Sequence, residues 1–186
     1  MKIFNEIEKY VEINSNEKTI LLESLKVINI NKGDIILEQD KSNDLVGFLE
    51  AGILRSYRTD MSGNDITYHF FEQGSFFTDL YSFNQSKKSK VTIEALSNCT
   101  IYTFNKKTFK ELEYKLENWS CFALQYYQAK SSCLLNFNAK VKNSNAIEAY
   151  SLFSKYYKQA IKESPKKHIA SFLGMSKYTL SRIRLL

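Results

Sequence analysis

Between residues 27 and 105, turn residues divide the chain into short apolar runs at nearly regular intervals. The runs are rich in β-branched and aromatic residues, and the turns between them include NKGD, SGND and QGS. Short strands separated in this way are typical of an antiparallel barrel or roll, and SGND between two alternating runs is a strong hairpin signal. We therefore predict an antiparallel β-roll, preceded by two short helices with an N-cap at Asn14 or Ser15.

After Lys106 the sequence becomes helical in character and is almost free of Gly and Pro. It predicts a short helix over 107–116, a cap at Asn118, a long helix over 119–141 and a further helix from 146 to about 161. The long helix has a wide apolar stripe, which we predict packs on the roll with one side and on a second copy of the chain with the other. The alternative is a stripe used wholly within the chain's own core. The predicted dimer residues are Trp119, Phe122, Tyr126, Ala129, Cys133 and Phe137.

The last segment, residues 165–186, has the pattern of two short helices joined by a tight turn. Ala170 is small where the two helices would approach closely, and Gly174 can adopt the left-handed conformation that ends the first helix. Ser176 can cap the second helix, and Pro165 suits the first turn of the first one. This spacing predicts a helix-turn-helix. Its apolar side would consist of Ile169, Leu173, Met175, Leu180 and Ile183.

The outward side of this motif carries the residue types that contact DNA phosphates and base edges. Six basic residues against one acidic residue lie between positions 162 and 186, and they account for most of the net charge of +6. We predict double-stranded DNA as the partner; the alternatives are a plain helical hairpin with solvated lysines and a hairpin that docks a partner helix. Leu185 is also predicted to point outward. The predicted DNA-binding residues are Lys166, Lys167, Ser176, Lys177, Tyr178, Thr179, Ser181 and Arg182.

Composition argues against several other classes of protein. No apolar run approaches the roughly 20 residues of a membrane-spanning helix, and the first residues lack the pattern of a signal peptide, so we expect a soluble cytoplasmic protein without a membrane partner. The three cysteines are far apart, which argues against a disulfide framework, a metal site or a redox centre. We expect His69 to pair within a strand and His168 to lie near DNA phosphate. With only His69 in the roll, a metal-dependent cupin enzyme is not favoured, and we predict a protein that is not an enzyme.

The order of these elements, together with several segments, resembles the Crp/Fnr family of transcription regulators. KGDIILEQD resembles the first hairpin of the family's cyclic-nucleotide-binding-like roll, and EAG and SGND stand where its tight turns lie. EQGSFFTDL with KVTIEALSNC resembles its phosphate-binding cassette, and IASFLGMSKYTLSRIR is similar to the helix-turn-helix of the branch found in Bacteroidetes-like bacteria. The resemblance implies an α+β chain: a β-roll effector domain (1–117), a dimerisation helix (118–142) and a DNA-binding domain (143–186) in which no wing is seen.

The cassette departs from the pattern of the cAMP-binding members, which carry a Gly-Glu-Leu turn and an Arg-Ser pair. Here the turn is Thr78-Asp79-Leu80, and the pair is replaced by Ser89-Lys90. Threonine cannot adopt glycine-only backbone angles and serine cannot form a bidentate fork on phosphate, so we do not expect cAMP in the usual mode. Three hypotheses remain: another anionic small molecule, a relic pocket, or a cyclic nucleotide held in an altered way. The predicted pocket residues are Phe71, Phe76, Phe77, Asp79, Leu80, Ser89, Lys90 and Thr92.

The second helix of the motif also departs from the cAMP-responsive members, which present Arg, Glu and Arg to their operator. This chain presents Lys177, Tyr178 and Arg182 instead, and a tyrosine cannot accept from a cytosine amino group as a carboxylate does. The resemblance thus predicts a homodimeric regulator on a different palindromic operator, with RNA polymerase as a further partner.

Overall fold

The computed structural model describes residues 1–183 and contains two four-stranded antiparallel sheets that form the predicted roll. One sheet has the strand order β1-β8-β3-β6, and the other has the order β2-β7-β4-β5. The strands are β1 (Lys26–Ile30), β2 (Ile35–Leu37), β3 (Leu45–Ala51), β4 (Ile53–Thr59), β5 (Asp65–Glu72), β6 (Phe76–Phe77), β7 (Thr92–Ala95) and β8 (Cys99–Asn105). The α+β fold class and the roll are therefore confirmed.

The predicted hairpin joins β4 to β5, which pair from Ile53 opposite Glu72 to Thr59 opposite Asp65. The carboxylate of Asp60 accepts hydrogen bonds from the backbone N–H groups of Ser62 (2.8 Å) and Asn64 (2.9 Å). This local arrangement closes the turn without help from the rest of the chain, which is why the sequence alone predicts it. Because β5 pairs with β4 alone among the described strands, it forms an edge of its sheet.

Nine helices are found within the described residues. They are α1 (Lys2–Ile7), α2 (Ser15–Ser24), α3 (Leu80–Gln85), α4 (Lys106–Lys115), α5 (Trp119–Lys142), α6 (Ala146–Tyr156), α7 (Ala160–Glu163), α8 (Lys166–Phe172) and α9 (Lys177–Ile183). Asn14 and Asn145 form complete capping boxes at the starts of α2 and α6, but the side chain of Asn118 makes no capping hydrogen bond at α5. None of these helices is long and apolar enough to cross a bilayer.

Two features of the helices differ from the predictions. The short helix α3 was not predicted; it begins where the carboxylate of Asp79 accepts from the backbone N–H of Tyr81 at 3.2 Å. The helix predicted from 146 to about 161 ends instead at Tyr156, and α7 follows it. At this break, Glu72 Oε1 accepts from the backbone N–H groups of Gln159 (2.6 Å) and Ala160 (2.8 Å). A carboxylate of β5 therefore satisfies donors that a continuous helix would have bonded internally.

The hydrophobic core lies in three clusters. The first packs α1, α2, α4 and the start of α5 on the sheet that contains β3, and the third fills the space between the sheets. The second cluster joins Phe70 of β5 and Phe137 of α5 to Phe153 of α6 and to Ile169 and Leu180 of the two terminal helices. The helix-turn-helix therefore shares a core with the roll.

The long helix uses its predicted dimer stripe mainly inside the chain. Trp119, Phe122, Tyr126 and Phe137 are only 2–3% exposed. Their predicted contact with a second copy is therefore wrong, because these rings already pack on the roll and on the terminal helices. Of the predicted dimer residues only Ala129 and Cys133 are exposed. Leu185, predicted to point outward, lies outside the described residues.

Because the second cluster is shared, truncating it should destabilise the roll and the helix-turn-helix together. Phe153 is 0% exposed, so Phe153→Ala should lower the free energy of unfolding by about 3 to 5 kcal/mol. Tyr114 is 92% exposed, and Tyr114→Ala serves as the control, with an expected change within about 0.5 kcal/mol. Urea unfolding followed by both circular dichroism and Trp119 fluorescence measures this; coincident transitions are expected, and separate ones would contradict a shared core.

Candidate nucleic-acid interface and ligand cavity

The terminal motif has the predicted helix-turn-helix geometry. Ala170 is 1% exposed at the contact between the helices, and Gly174 has φ +66°. The backbone N–H of Met175 donates to the carbonyl of Ala170 at 2.9 Å, which closes the turn. Ser176 Oγ accepts from the backbone N–H of Thr179 at 3.0 Å and so caps α9. These local predictions are confirmed.

The outward face of α9 is polar and basic. Leu180 is 1% exposed beneath it, whereas Tyr178 is 72% exposed, and Arg182 lies with its guanidinium carbon 5.5 Å from the Tyr178 ring centroid. Of the predicted DNA-binding residues, Thr179 is half-buried and its hydroxyl lies 2.8 Å from that of Ser176. The others are exposed: Lys166, Lys167, Ser176, Lys177, Tyr178, Ser181 and Arg182.

His168 does not lie on this outward face, which corrects the prediction that it is near phosphate. It is 6% exposed, and its Nδ1 accepts a hydrogen bond from Nη1 of Arg55 in β4. Arginine only donates, so this contact requires a neutral imidazole with its lone pair on Nδ1. Burial, together with the positive charges of Arg55, Lys167 and Lys177, lowers the pKa of His168 to about 4. Positive charges from both helices of the motif therefore act on this ring, and the carboxylate of Asp65 opposes them.

Arg55 was not singled out by the sequence, yet it is the most completely paired charge in the roll. Its guanidinium is 1% exposed and contacts carboxylates on two neighbouring strands, Asp65 at 3.1 Å and Glu94 at 2.7 Å. It also lies 4.0 Å from the ring centroid of Tyr57 and donates to Thr67 Oγ1 at 3.4 Å. The available signal was an arginine directly after the apolar pair Ile53 and Leu54, with acidic residues on the strands that pair with this one.

Helix α8 is hydrogen-bonded to the edge of the sheet. Ser171 Oγ accepts from the backbone N–H of Thr67 at 3.0 Å and donates to the backbone carbonyl of Asp65 at 3.0 Å. Exposed edge strands carry unpaired backbone groups that are normally covered. The first helix of the motif provides that cover for β5, so the position of the motif is defined relative to the roll.

The cassette is closed by its own carboxylate. Asp79 Oδ2 accepts from Ser89 Oγ and from the backbone N–H of Lys90, both at 3.0 Å, while Oδ1 accepts from the N–H of Tyr81. These are donors of the type that hold a phosphate, and here they surround an internal anion. Thr92 is 5% exposed and accepts from a backbone N–H at its hydroxyl. These cassette residues therefore do not line an open pocket together.

A cavity of about 310 Å³ lies beside the cassette, between β5 and β6 on one side and α5 and α6 on the other. Four of the predicted pocket residues line it: Phe71, Phe76, Phe77 and Leu80. The other four, Asp79, Ser89, Lys90 and Thr92, do not. The sequence missed further lining residues on β5, α5 and α6, of which the paired tyrosines at 126 and 127 were the clearest signal. They include His69, Tyr126, Tyr127, Lys130, Phe137 and Tyr157.

The link between Arg55 and His168 should make stability depend on pH. Because its pKa is lowered in the folded chain, His168 binds a proton more weakly there than when unfolded, so acid favours unfolding. The free energy of unfolding should fall as pH drops below 6.5, and the loss should be complete near pH 4. His168→Asn keeps an acceptor for Arg55 but does not titrate, and it should reduce this loss by about 1 to 3 kcal/mol in urea titrations at pH 7 and 4.5. An unchanged slope would contradict a neutral buried His168.

Comparison with known proteins agrees with this geometry. Residues 27–113 match the family model of the cyclic nucleotide-binding domain, whereas a search of curated proteins returns no sequence match. FixK2 from Bradyrhizobium japonicum is 15% identical, with a TM-score of 0.72 over 87% of this chain and 83% of FixK2. The c-di-GMP responsive global regulator CLP from Xanthomonas campestris is 11% identical, with a TM-score of 0.71 over 91% of this chain and 89% of CLP.

A protein of Eubacterium rectale assigned to the crp/fnr family of transcriptional regulators is 17% identical, with a TM-score of 0.69. The superposition covers 92% of this chain and 82% of that protein. Identities this low establish the shared fold. Residues 27–113 are therefore similar to the cyclic nucleotide-binding domain family, and the chain as a whole has the fold of the Crp/Fnr transcription regulators.

Proposed function

We propose that this chain is a sequence-specific DNA-binding transcription regulator that acts as a homodimer on a palindromic operator. The observation that carries the proposal is the face of α9, where Lys177, Tyr178, Ser181 and Arg182 are exposed above the buried Leu180. The proteins that share the fold over most of their length include transcription regulators. Contact with RNA polymerase would follow from this role.

The residue types on α9 suggest how the operator is recognised. Arg182 can donate two hydrogen bonds to the O6 and N7 atoms of guanine, which discriminates this base by about 1 to 3 kcal/mol. Lys177, five residues nearer the N-terminus of α9, supplies a point charge for phosphate. The ring of Tyr178 lies against the guanidinium of Arg182 and restricts the directions in which it can point.

The face of α5 that is suited to dimerisation differs from the face that the sequence predicted. Leu124 and Leu135 are 61% and 69% exposed, and Gln128 and Ser131 lie between them on the exposed side. The spacing 124, 128, 131 and 135 follows the alternating three- and four-residue steps of a heptad seam. A second copy packed along this seam would place two recognition helices on successive half-sites, about 34 Å apart.

The closed cassette weighs against the alternative that cAMP binds in an altered mode. A cyclic phosphate at this position would have to displace the carboxylate of Asp79 from Ser89 Oγ and the Lys90 N–H, or lie beside it as a second negative charge. Displacing this carboxylate, or placing a second negative charge beside it, costs free energy that the binding of cAMP to a glycine-containing turn does not require. We therefore place effector binding, where it occurs, outside the cassette.

Strand β5 offers a physical link between an effector and the recognition helix. His69 and Phe71 line the cavity, whereas Thr67 and Asp65 on the same strand hold α8. A ligand that moves β5 or the adjacent Phe137 would shift the equilibrium between positions of the helix-turn-helix. Coupling between two such sites is typically about 1 to 3 kcal/mol.

Removal of the recognition arginine tests the DNA interface. Arg182→Ala should weaken binding to a duplex selected from a random pool by about 1 to 3 kcal/mol and relax the preference at one base pair, as measured by fluorescence anisotropy. The matched control is Arg58→Ala, another exposed arginine, on β4 of the roll. Lys177→Ala should instead weaken binding to all sequences and reduce the salt slope by about 1. Equal effects of Arg182→Ala and Arg58→Ala would contradict the proposed interface.

A charge placed in the α5 seam tests the dimer. Leu135→Lys should raise the dimer dissociation constant at least about tenfold without destabilising the monomer, because the side chain is 69% exposed in one copy and would be buried between two. Leu22→Lys, at a 41% exposed leucine of α2, is the control. Sedimentation equilibrium measures both. A monomeric wild-type chain, or a Leu135→Lys variant that dimerises as well as Leu22→Lys, would contradict the assigned seam.

A further inference from the structure

The cavity of about 310 Å³ beside the closed cassette has the size and composition of a small-molecule site. Sites of this kind are mostly apolar, with a few polar atoms that set the orientation of the ligand. An apolar cavity of about 150 Å³ holds a benzene molecule, so this one has room for a ligand of roughly two fused rings. Its walls are largely aromatic, contributed by Phe71, Phe76, Phe77, Phe137, Tyr126, Tyr127 and Tyr157.

A neutral polar pair lies in the cavity wall. Tyr157 Oη is 3.3 Å from His69 Nδ1, and burial lowers the pKa of His69 to about 4. Part of the His69 surface nevertheless remains accessible, because the ring lines the cavity. Among the hydrogen bonds of the described residues, the His69 ring is engaged only through Nδ1. Its Nε2 edge is therefore free to meet a polar group of a ligand.

The lining of the cavity contains one cationic side chain, Lys130, and one carboxylate, that of Glu72. Lys130 lines the cavity, is 47% exposed at its side chain and lies with Nζ 3.0 Å from Glu6 Oε1. Glu6 also pairs with Lys9, so Lys130 shares this carboxylate with a second ammonium group. The carboxylate in the lining, that of Glu72, already accepts from two backbone N–H groups at 2.6 and 2.8 Å.

From these groups we infer that the cavity binds a small aromatic acid: a flat apolar body of one or two fused rings that carries a single carboxylate. The rings stack among Phe71, Phe77 and Tyr127, and the carboxylate lies near Lys130 at the solvent side. A cation is disfavoured by Lys130, and a nucleotide is too polar for the aromatic walls. This inference rests on the proposed function and adds to it the chemical class of the effector.

Three molecules with the same ring and different charge test this directly: indole-3-acetate, indole and tryptamine. Isothermal titration calorimetry of the full chain without DNA should give the tightest binding for indole-3-acetate, with a Kd about five- to tenfold lower than that of indole, and the weakest for tryptamine. Absence of binding by all three at millimolar concentration, equal binding of all three, or tighter binding of tryptamine would overturn the inference.

Variants locate the binding. Lys130→Met keeps most of the methylene stem and should remove the preference for indole-3-acetate over indole, whereas Lys142→Met on the exposed side of the same helix should leave it unchanged. Cys133→Phe adds a ring at the cavity lining and should weaken indole-3-acetate at least about tenfold. Thermal melting checks that each variant folds. If Cys133→Phe does not fold, the comparison of Lys130→Met with Lys142→Met decides the site.

Binding that is equal in Lys130→Met, Lys142→Met and the wild type would place the ligand elsewhere and overturn the inference. Because the calorimetry is done without DNA, the proposed ligand class and the proposed DNA-binding function can fail separately. A chain that binds its selected duplex but none of the indoles fails only the ligand assignment. A chain that binds indole-3-acetate as described but no duplex fails only the proposed function.

Discussion

A guanidinium buried within a sheet needs carboxylates and other acceptors in direct contact with it. The groups that meet this need for Arg55 come from both the roll and the terminal motif, so their contacts join the two. Its carboxylate partners come from β5 and β7, through Asp65 and Glu94, and its nitrogen partner, His168, comes from the first helix of the terminal motif. Removing one partner of a buried charge typically costs several kcal/mol, because the other charge is left uncompensated. The helix-turn-helix is thereby tied to the edge of the roll.

That attachment places a ligand cavity and the first helix of the motif, α8, against the same strand, β5. Phe71 of β5 lines the cavity, and Phe70 beside it packs on Phe153 and Phe172 in the core shared with the terminal helices. Because the core is close-packed, a ligand that displaces β5 cannot leave those rings in place. The donors of the cassette that Asp79 occupies, Ser89 Oγ and the Lys90 N–H, take no part in this path. The domain is thus a cyclic nucleotide-binding fold in which the groups suited to ligand recognition lie beside the cassette.

Local signals made the elements predictable, whereas contacts between distant segments did not. The N-cap of α2, predicted at Asn14 or Ser15 and found at Asn14, and the left-handed Gly174 depend only on neighbouring residues, so both could be predicted from the sequence. The break after α6 depends on Glu72, 87 residues before Gln159, and the burial of His168 depends on an arginine 113 residues away. The packing of the α5 stripe on the roll was predicted, but part of the stripe was wrongly assigned to a second copy of the chain, because periodicity does not say which surface covers a face. Only half of the predicted pocket residues line the cavity, because the sequence likewise does not show that Asp79 bonds to Ser89 and Lys90 within the cassette.

The central claim is that two copies of α9, held by a dimer of this chain, recognise a palindromic DNA sequence. Selection of bound duplexes from a random pool by the full chain, followed by sequencing, tests it most directly. The account predicts enrichment of an inverted repeat whose half-sites are centred about 10 base pairs, or one helical turn, apart. A pool that shows no enrichment, or that yields single half-sites without a symmetric partner, would contradict it.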